Sequence, residues 1–433
     1  MHTGFTQTNR KADRVLVVGA GAAGLMAANA AAENGAETLI LEKNAKAGKK
    51  IYITGKGRCN VTNAEEDRES FLQKVIRNPR FLYAALCAFG PRDMMDLLEK
   101  SGCPVKVERG RRVFPVSDRA SDVTRALEER LKKHGGRILT EHMVRRVLCG
   151  NMGVYGVECE DGTVFEAGKV IVCTGGLSYP STGSTGDGYR MAEETGHRVS
   201  DTSPSLTGLE TKETWSSSLE GLSLKNIALT GMLNGKKLFS GQGEMLFTHY
   251  GISGPLVLEL SALLSGKKLE DAQAYLDMKP ALTEEQLNER LLREIQQNPK
   301  KQLNTLLRGY LPIRMAEIFP MLAGMDPLLP CCTMTAVQRR KLAEFMKKIP
   351  IGITSLRPYT EAVITRGGVD VRDVNPSTME SKKVKGLYFA GEVLDVDAMT
   401  GGYNLQIAFS TGHLAGVKAA ATLCQEIIEK RND

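Results

Sequence analysis

Val15-Leu16-Val17-Val18-Gly19-Ala20-Gly21-Ala22-Ala23-Gly24 is the stretch that decides the fold. Four apolar residues in succession suit a strand buried on both faces, and the glycines behind them stand in the spacing G-x-G-x-x-G. The first glycine permits a tight turn, the second lets a pyrophosphate approach the backbone, and the third lets the next helix pack on the strand. The spacing predicts a helix from about Ala22 to Asn34 whose N-terminus faces the phosphates. Gly35 closes that helix, and Glu37–Leu41 reads as a second strand ending at Glu42. An acid there, about 20 residues past the glycines, accepts hydrogen bonds from both hydroxyls of an adenosine ribose. It would repel a 2′-phosphate, so the turn reads as a site for FAD or NAD rather than NADP.

Two distant stretches favour FAD. Lys169-Val170-Ile171-Val172-Cys173-Thr174-Gly175-Gly176 reads as a strand ending in Thr174-Gly175-Gly176, a crossover typical of FAD folds. Gly386-Leu387-Tyr388-Phe389-Ala390-Gly391-Glu392 is a further strand running into glycine and an acid, and it resembles the motif by which two-site FAD enzymes grip the ribityl chain. Gly401-Gly402-Tyr403-Asn404-Leu405-Gln406 then opens a helix, and its N-terminal dipole would stabilise negative charge at the N1/O2 edge of a flavin.

Composition sets the outer limits. With 433 residues the chain exceeds what one core normally organises, so two or three domains are expected. Its 42% hydrophobic and 25% charged residues are those of a globular enzyme and exclude a fibrous or disordered chain. Basic residues outnumber acidic ones by 57 to 50. They fall in scattered pairs (Lys236-Lys237, Lys267-Lys268, Lys347-Lys348) and one run, Arg109-Gly110-Arg111-Arg112. That pattern reads as a solvated surface rather than a polyanion-binding face, and it suits an anionic small substrate. The nine cysteines are odd in number and contain no Cys-x-x-Cys. A disulfide framework or zinc knuckle is therefore not expected, and a reducing, cytoplasmic setting is. Adjacent Cys331 and Cys332 read as two buried thiols. Arg14 followed by an Ala-rich run imitates a signal peptide, but the three glycines fit the cofactor turn better. The longest apolar stretch, Met245–Leu264, is broken by His249, Gly251, Gly254, Pro255 and Glu259, so a soluble protein is expected.

Gly48-Lys49-Lys50 and Thr54-Gly55-Lys56-Gly57-Arg58-Cys59-Asn60-Val61-Thr62-Asn63 carry a family resemblance. So do Arg112–Pro115, Gly175–Pro180, Gly183–Tyr189 and Gly391–Asp395. Together they resemble the YhiN-like flavoproteins, the group that includes BaiN-type bile-acid reductases and aminoacetone oxidase, over nearly the whole chain. The resemblance implies an α/β protein with a discontinuous Rossmann-like FAD domain of the two-dinucleotide-binding type, an inserted β-rich domain and a small helical domain. The FAD domain would take residues 1–195 and 361–433, the β-rich insertion 196–279 with a return through 333–360, and the helical part 280–332. Local signals agree: Asn234-Gly235 is a hairpin turn, and Thr283-x-x-Gln286 and Thr335-x-x-Gln338 are capping boxes. Leu287, Leu291 and Ile295, then Leu303, Leu307 and Leu311, predict a helical hairpin.

Cofactor contacts are expected from Gly19, Gly21, Ala22, Ala23, Gly24, Glu42, Lys43, Lys50, Gly57, Arg58, Cys59, Asn60 and Val144. Further along the chain they are expected from Thr174, Gly175, Gly176, Asp187, Gly391, Glu392, Gly402, Asn404, Leu405 and Gln406. No metal ligands are expected. Arg58 is placed to meet cofactor phosphate or carbonyl oxygens, or to pin its loop, and Cys59, lacking a second cysteine nearby, reads as a packed thiol. Three residues are candidates for catalysis: His249 as acid or base, Arg366 to orient a carboxylate, and Tyr403 to protonate a substrate carbon. A single dinucleotide fingerprint leaves no separate NAD(P)H domain. NADH or NADPH, the expected transient donor, must share the substrate side of the flavin, unless the electrons come from a partner or from the substrate itself. The resemblance points first to an NAD(P)H-dependent reductase of an activated C=C bond, such as that of a 3-oxo bile-acid or steroid dienone. Oxidation of an aminoacetone-like amine by O₂ is the alternative within enzymes. An RNA-binding or tRNA-modifying flavoprotein is the alternative of another class, with nucleic acid the lesser expectation as a partner. Oligomeric state is left open.

Overall fold

The computed structural model describes residues 13–432. They fold as two compact units, one running up to Ser205 and resuming at Tyr359, the other comprising Leu206–Pro358.

The first unit is built on a five-stranded parallel sheet. β1 (Arg14–Val18) lies between β2 (Glu37–Leu41) and Lys169–Val172, and Arg137–Leu139 and Leu387–Phe389 form the two edges. Val15, Leu16 and Val17 are fully buried, as a strand covered on both faces requires. α1 (Ala22–Glu33) is buried along almost its whole length, because its alanines let two layers close on it. One layer is the sheet, and the other is the C-terminal helix Tyr403–Asn432. A Cβ on Gly416 would stand 2.1 Å from the Ala27 carbonyl oxygen, so that helix approaches to a distance that only glycine allows.

The second unit is a closed six-stranded antiparallel barrel in the order Leu209–Thr211, Gly251–Ser253, Lys236–Thr248, Ser223–Leu233, Gln273–Asp277, Ile349–Leu356. Its longest hairpin turns at Asn234 (φ 49°) and Gly235 (φ 71°), both left-handed as a type I′ turn demands. Helices Glu284–Gln297 and Ala336–Lys347 open on the two capping boxes read from sequence. Leu229 and Phe247 of the barrel and Leu291, Phe319 and Leu342 of the helices belong to one buried cluster. The helical stretch therefore shares a core with the barrel rather than forming a unit of its own.

Two other expectations shift. Residues 196–205 stay with the first unit, because Ser203–Ser205 pairs with Ile364–Arg366. The helix expected through Leu311 stops at Leu307, and Glu284–Gln297 packs on Ala336–Lys347 instead. Among the described residues no helix is long and apolar enough to cross a membrane.

Candidate functional site

At the C-terminal end of β1 the parallel sheet opens into a pocket of about 1300 Å³ of empty space, its mouth included, lined wholly by the first unit. The three glycines of the turn do different work. Gly19 has φ +96° and a Cβ there would meet the Cys173 carbonyl oxygen at 2.8 Å, while a Cβ on Gly24 would stand 1.8 Å from the Gly19 carbonyl oxygen. Gly21 faces open space, with nothing within 4 Å of its Cβ position. Two glycines thus serve the protein's own packing, and the middle one leaves room for a ligand. The N–H groups of the first turn of α1 lack helical partners and carry the positive end of the helix dipole, which makes the vacant side of Gly21 an anion seat.

Glu42 is buried beside that seat. Its Oε2 accepts from the Ala20 N–H at 2.7 Å, and its Oε1 accepts from the Asn44 N–H at 2.8 Å and the Asn44 amide at 2.7 Å. A carboxylate has about four lone-pair positions, so capacity for a ribose hydroxyl remains. Lys43 is held at 2.5 Å by Asp187 and by Thr185 Oγ1. The hydroxyl of Thr174, buried in the same wall, has no hydrogen-bond partner. An orphaned buried hydroxyl in a pocket marks where a ligand atom belongs.

The far end joins Lys50 and Ser178 to the C-terminal third of the chain. Lys50 Nζ lies 2.6 Å from Glu392 Oε2 and 2.7 Å from Ser178 Oγ. Glu392 Oε1 accepts from Ser178 Oγ at 2.7 Å and from the Thr365 N–H at 2.8 Å. Asn404 fixes the loop before the last helix, its Oδ1 accepting from the Ala398 N–H at 2.9 Å and its Nδ2 donating to the Ala398 carbonyl at 2.8 Å. Asn404 and Leu405, at the start of that helix, face the pocket. An elongated cleft with an anion seat, a ribose-side acid and a second helix N-terminus beyond it fits FAD.

Of the expected cofactor contacts, Gly19, Gly21, Ala22, Ala23, Glu42, Lys43, Lys50, Val144, Thr174, Gly175, Asp187, Glu392, Asn404 and Leu405 line the pocket. The others hold its frame. Gly24 packs on Gly19, and Gly176 packs under Thr365. Arg58 is engaged by Glu108 and by Asp118 at 2.6 Å, and its guanidinium lies 4.1 Å over the Phe114 ring. It pins the loop that begins near the exposed Gly57. Cys59 is fully buried and burial pushes its thiol up to about 12, which leaves it without the thiolate that redox chemistry needs. Asn60, with its Nδ2 donating to the Thr62 carbonyl, accepts from the Gly402 N–H at 3.0 Å. The Gly391 N–H donates to Thr411 Oγ1 at 2.9 Å, and Gln406 donates to Ser410 Oγ at 3.0 Å.

The three catalytic candidates part company. His249 lies in the second unit, its side chain 68% exposed and 3.4 Å from Glu220. Tyr403 is buried edge-on to Phe71, ring centroids 5.0 Å apart, and does not line the pocket. Arg366 ends the strand Ile364–Arg366, and Ile364 lines the pocket. Side chains alternate along a strand, so Arg366 is on the same face as Ile364, beside the pocket but not among the residues that line it. Burial and the neighbouring Arg77 lower its pKa. Sequence reading passed over Asn44, Lys49, Thr54, His142, Val363, Ile364, Val396 and Ile407, all of which line the pocket. Lys49 and Val396 were findable as chain neighbours of Lys50 and Glu392; His142 carried no signal at all.

A parallel Rossmann sheet, an anion seat at its glycine-rich turn and a C-terminal strand and helix closing on the same cleft define an FAD-dependent oxidoreductase. The chain belongs to the HI0933-like family, whose profile, the HI0933-like protein Rossmann domain, matches residues 13–418. It is 32% identical over 415 residues to the 3-dehydro-bile acid delta(4,6)-reductase of Clostridium scindens, which spans 94% of this chain and 99% of that protein. It is also 32% identical over 403 residues to the ribosomal RNA dihydrouridine synthase of Haemophilus influenzae, spanning 92% and 96% respectively. Among solved structures, the 3-ketosteroid-delta4-(5alpha)-dehydrogenase of Rhodococcus jostii is similar over 96% of this chain and 99% of its own, with TM-score 0.53 and 16% identity. At that identity the likeness speaks for the fold alone.

Proposed function

We propose that this chain is an NAD(P)H-dependent reductase of a carbon–carbon double bond conjugated to a carbonyl, with a 3-oxo bile-acid or steroid dienone as its substrate class. The observation that carries this reading is the full-length likeness, at 32% identity, to a protein named for delta(4,6) reduction of a 3-dehydro-bile acid. FAD, when bound, supplies the two-electron transfer. The chain's own residues do the rest. The N-terminus of α1 seats the phosphates, Glu42 takes the ribose, and the Lys50–Glu392–Ser178 cluster orders the middle of the cleft. Val363, Ile364, Val396 and Ile407 give its far end an apolar wall that excludes water. Arg366, on the Ile364 face of its strand, holds the carbonyl oxygen on which negative charge collects as the double bond is reduced. With one dinucleotide fingerprint in the sequence, the nicotinamide donor and the dienone take turns on the substrate side.

A second reading has uridine in ribosomal RNA as the substrate. It is favoured by two relatives named ribosomal RNA dihydrouridine synthase, those of Haemophilus influenzae at 32% and Escherichia coli at 30% identity, and by the net charge of +7. Saturating uracil is the same chemistry, reduction of a double bond next to a carbonyl. Incubation of the FAD-loaded protein and NAD(P)H with a 3-oxo dienone bile acid, or with an unmodified ribosomal RNA fragment, separates the two. Mass spectrometry reads which of them gains two hydrogens. Gain by the RNA alone replaces the first reading with the second, and gain by neither defeats both.

A further inference from the structure

Two charged groups near the far end of the pocket lack the partners such groups ordinarily have. Asp397 is fully buried, and neither of its carboxyl oxygens has a hydrogen-bond partner. Arg366 is half buried, with no hydrogen bond or ion pair from its guanidinium to any described residue. Their neighbours are satisfied: Arg77 grips Asp395 through Nε–Oδ1 at 2.7 Å and Nη2–Oδ2 at 2.5 Å, and Lys50 and Ser178 hold Glu392. Burying a carboxyl without donors is costly, and an unmatched buried polar group calls for a reason.

The reason lies in where the two are fixed. Val396 lines the pocket, and the Asp397 carbonyl accepts from the Ile76 N–H at 2.8 Å. Asn404, itself a pocket residue, clamps Ala398 on the other side. The carboxyl is thus carried on a loop tied at both ends, within electrostatic reach of Arg366. They are more than 4.0 Å apart, since no salt bridge joins them.

We propose that Asp397 is a positioning residue whose protonation sets the charge that Arg366 presents to the far end of the pocket, and thereby controls the binding of an anionic oxygen there. Burial raises the Asp397 carboxyl to about 7, with Asp395 and Glu392 pushing the same way and Arg366 and Arg77 opposing them. Below that pH Asp397 is neutral. Arg77 is spent on Asp395 and Lys50 on Glu392, while Lys49 is held by the Asn44 side chain and the Ser181 carbonyl, which leaves Arg366 to meet an anion beside Ile364. Above it, Asp397 carries the charge that cancels Arg366. A carboxylate, or an enolate oxygen forming during reduction, is therefore held more tightly on the acid side.

The claim rests on the cofactor pocket and on Arg366 lying on the strand face that Ile364 presents to it, not on the identity of the substrate. Its test uses the FAD-loaded protein and benzoate, a carboxylate that is ionised throughout and is not reduced, followed by its perturbation of the flavin spectrum. Wild type should bind benzoate on the order of tenfold more tightly at pH 6 than at pH 8, the equivalent of one unit of coupling between the two charges. Asp397→Asn, permanently neutral, should keep the tight value at both, and Arg366→Ala should bind weakly at both. A wild type without pH dependence, an Asp397→Asn variant that keeps the wild-type slope, or an Arg366→Ala variant that binds like wild type overturns the proposal. Arg366→Ala, at a half-buried strand end, keeps the test decisive should Asp397→Asn fail to retain FAD.

Discussion

Adding one methyl group at Gly21 and one at Gly24 should break this protein in opposite ways. At Gly21 the new Cβ meets no protein atom within 4 Å, and the backbone sits at φ −78°, so the apoprotein accepts alanine with little strain. The methyl instead occupies the space where a pyrophosphate must approach the N–H groups of α1. A hydrogen bond to a charged group is worth about 1.5–3 kcal/mol, so losing one raises the Kd for FAD by about 10- to 150-fold. At Gly24 the Cβ would lie 1.8 Å from the Gly19 carbonyl oxygen, and relieving an overlap that severe with backbone costs about 2–3 kcal/mol, the upper end for overpacking. Replacing a helical glycine by alanine returns about 1 kcal/mol of that, and the apoprotein Tm should still fall by about 2–8 °C. Thermal melts of the apoproteins and flavin fluorescence titrations read the two effects separately. A Gly21→Ala variant that binds FAD as wild type does, or a Gly24→Ala apoprotein that melts with wild type, refutes the division of labour among the glycines.

Arg58→Ala should leave FAD affinity within about threefold, because the guanidinium is engaged by Glu108 and Asp118 rather than by the pocket, and lower stability only slightly, as for other solvent-screened ion pairs. A large loss of FAD affinity would return Arg58 to the cofactor. Cys59, its thiol pushed up to about 12, should resist iodoacetamide in the native protein at neutral pH, and Cys59→Ser should lower stability by about 1–3 kcal/mol without altering turnover. Rapid native alkylation at Cys59 would contradict its burial. Arg198, helped by Lys383, holds the Asp373 carboxyl far below its usual range. The sign follows: its stabilisation is complete above the unfolded carboxyl value of about 3.9 and is lost as pH falls below it. Acid titration of unfolding should show Asp373→Asn about 2 kcal/mol less stable than wild type at neutral pH, with the gap narrowing in acid; a constant gap would sink the linkage.

What was legible in the sequence was local. Gly19, Gly21 and Gly24 announced a turn because each glycine answers to a steric rule, and Asn234-Gly235 announced a hairpin because only such residues accept two left-handed positions. Glu42 and Glu392 were found because each ends a strand at a fixed distance from glycine. Arg58 shows the limit. Its partners Glu108 and Asp118 lie 50 and 60 residues away, and nothing in a single sequence says that a loop arginine will be captured by them. Asp397 and His142 were silent for a related reason: a carboxyl stripped of partners and a histidine in a pocket wall are products of tertiary closure. The closing of six strands into a barrel that shares its core with the helices inserted between its last two strands in sequence was equally beyond local pattern, because register across a barrel is set by packing.

We propose that one FAD, held in the first unit, passes electrons from a nicotinamide to a conjugated double bond. Anaerobic rapid mixing of the FAD-loaded protein, first with NADH or NADPH and then with a 3-oxo steroid dienone, tests it most directly through the visible absorbance of the flavin. Bleaching by one of the nucleotides is expected, with return of the absorbance, two electrons per flavin, when the dienone is added. Flavin that dithionite reduces but neither nucleotide does, or reduced flavin that the dienone cannot reoxidise, would contradict it.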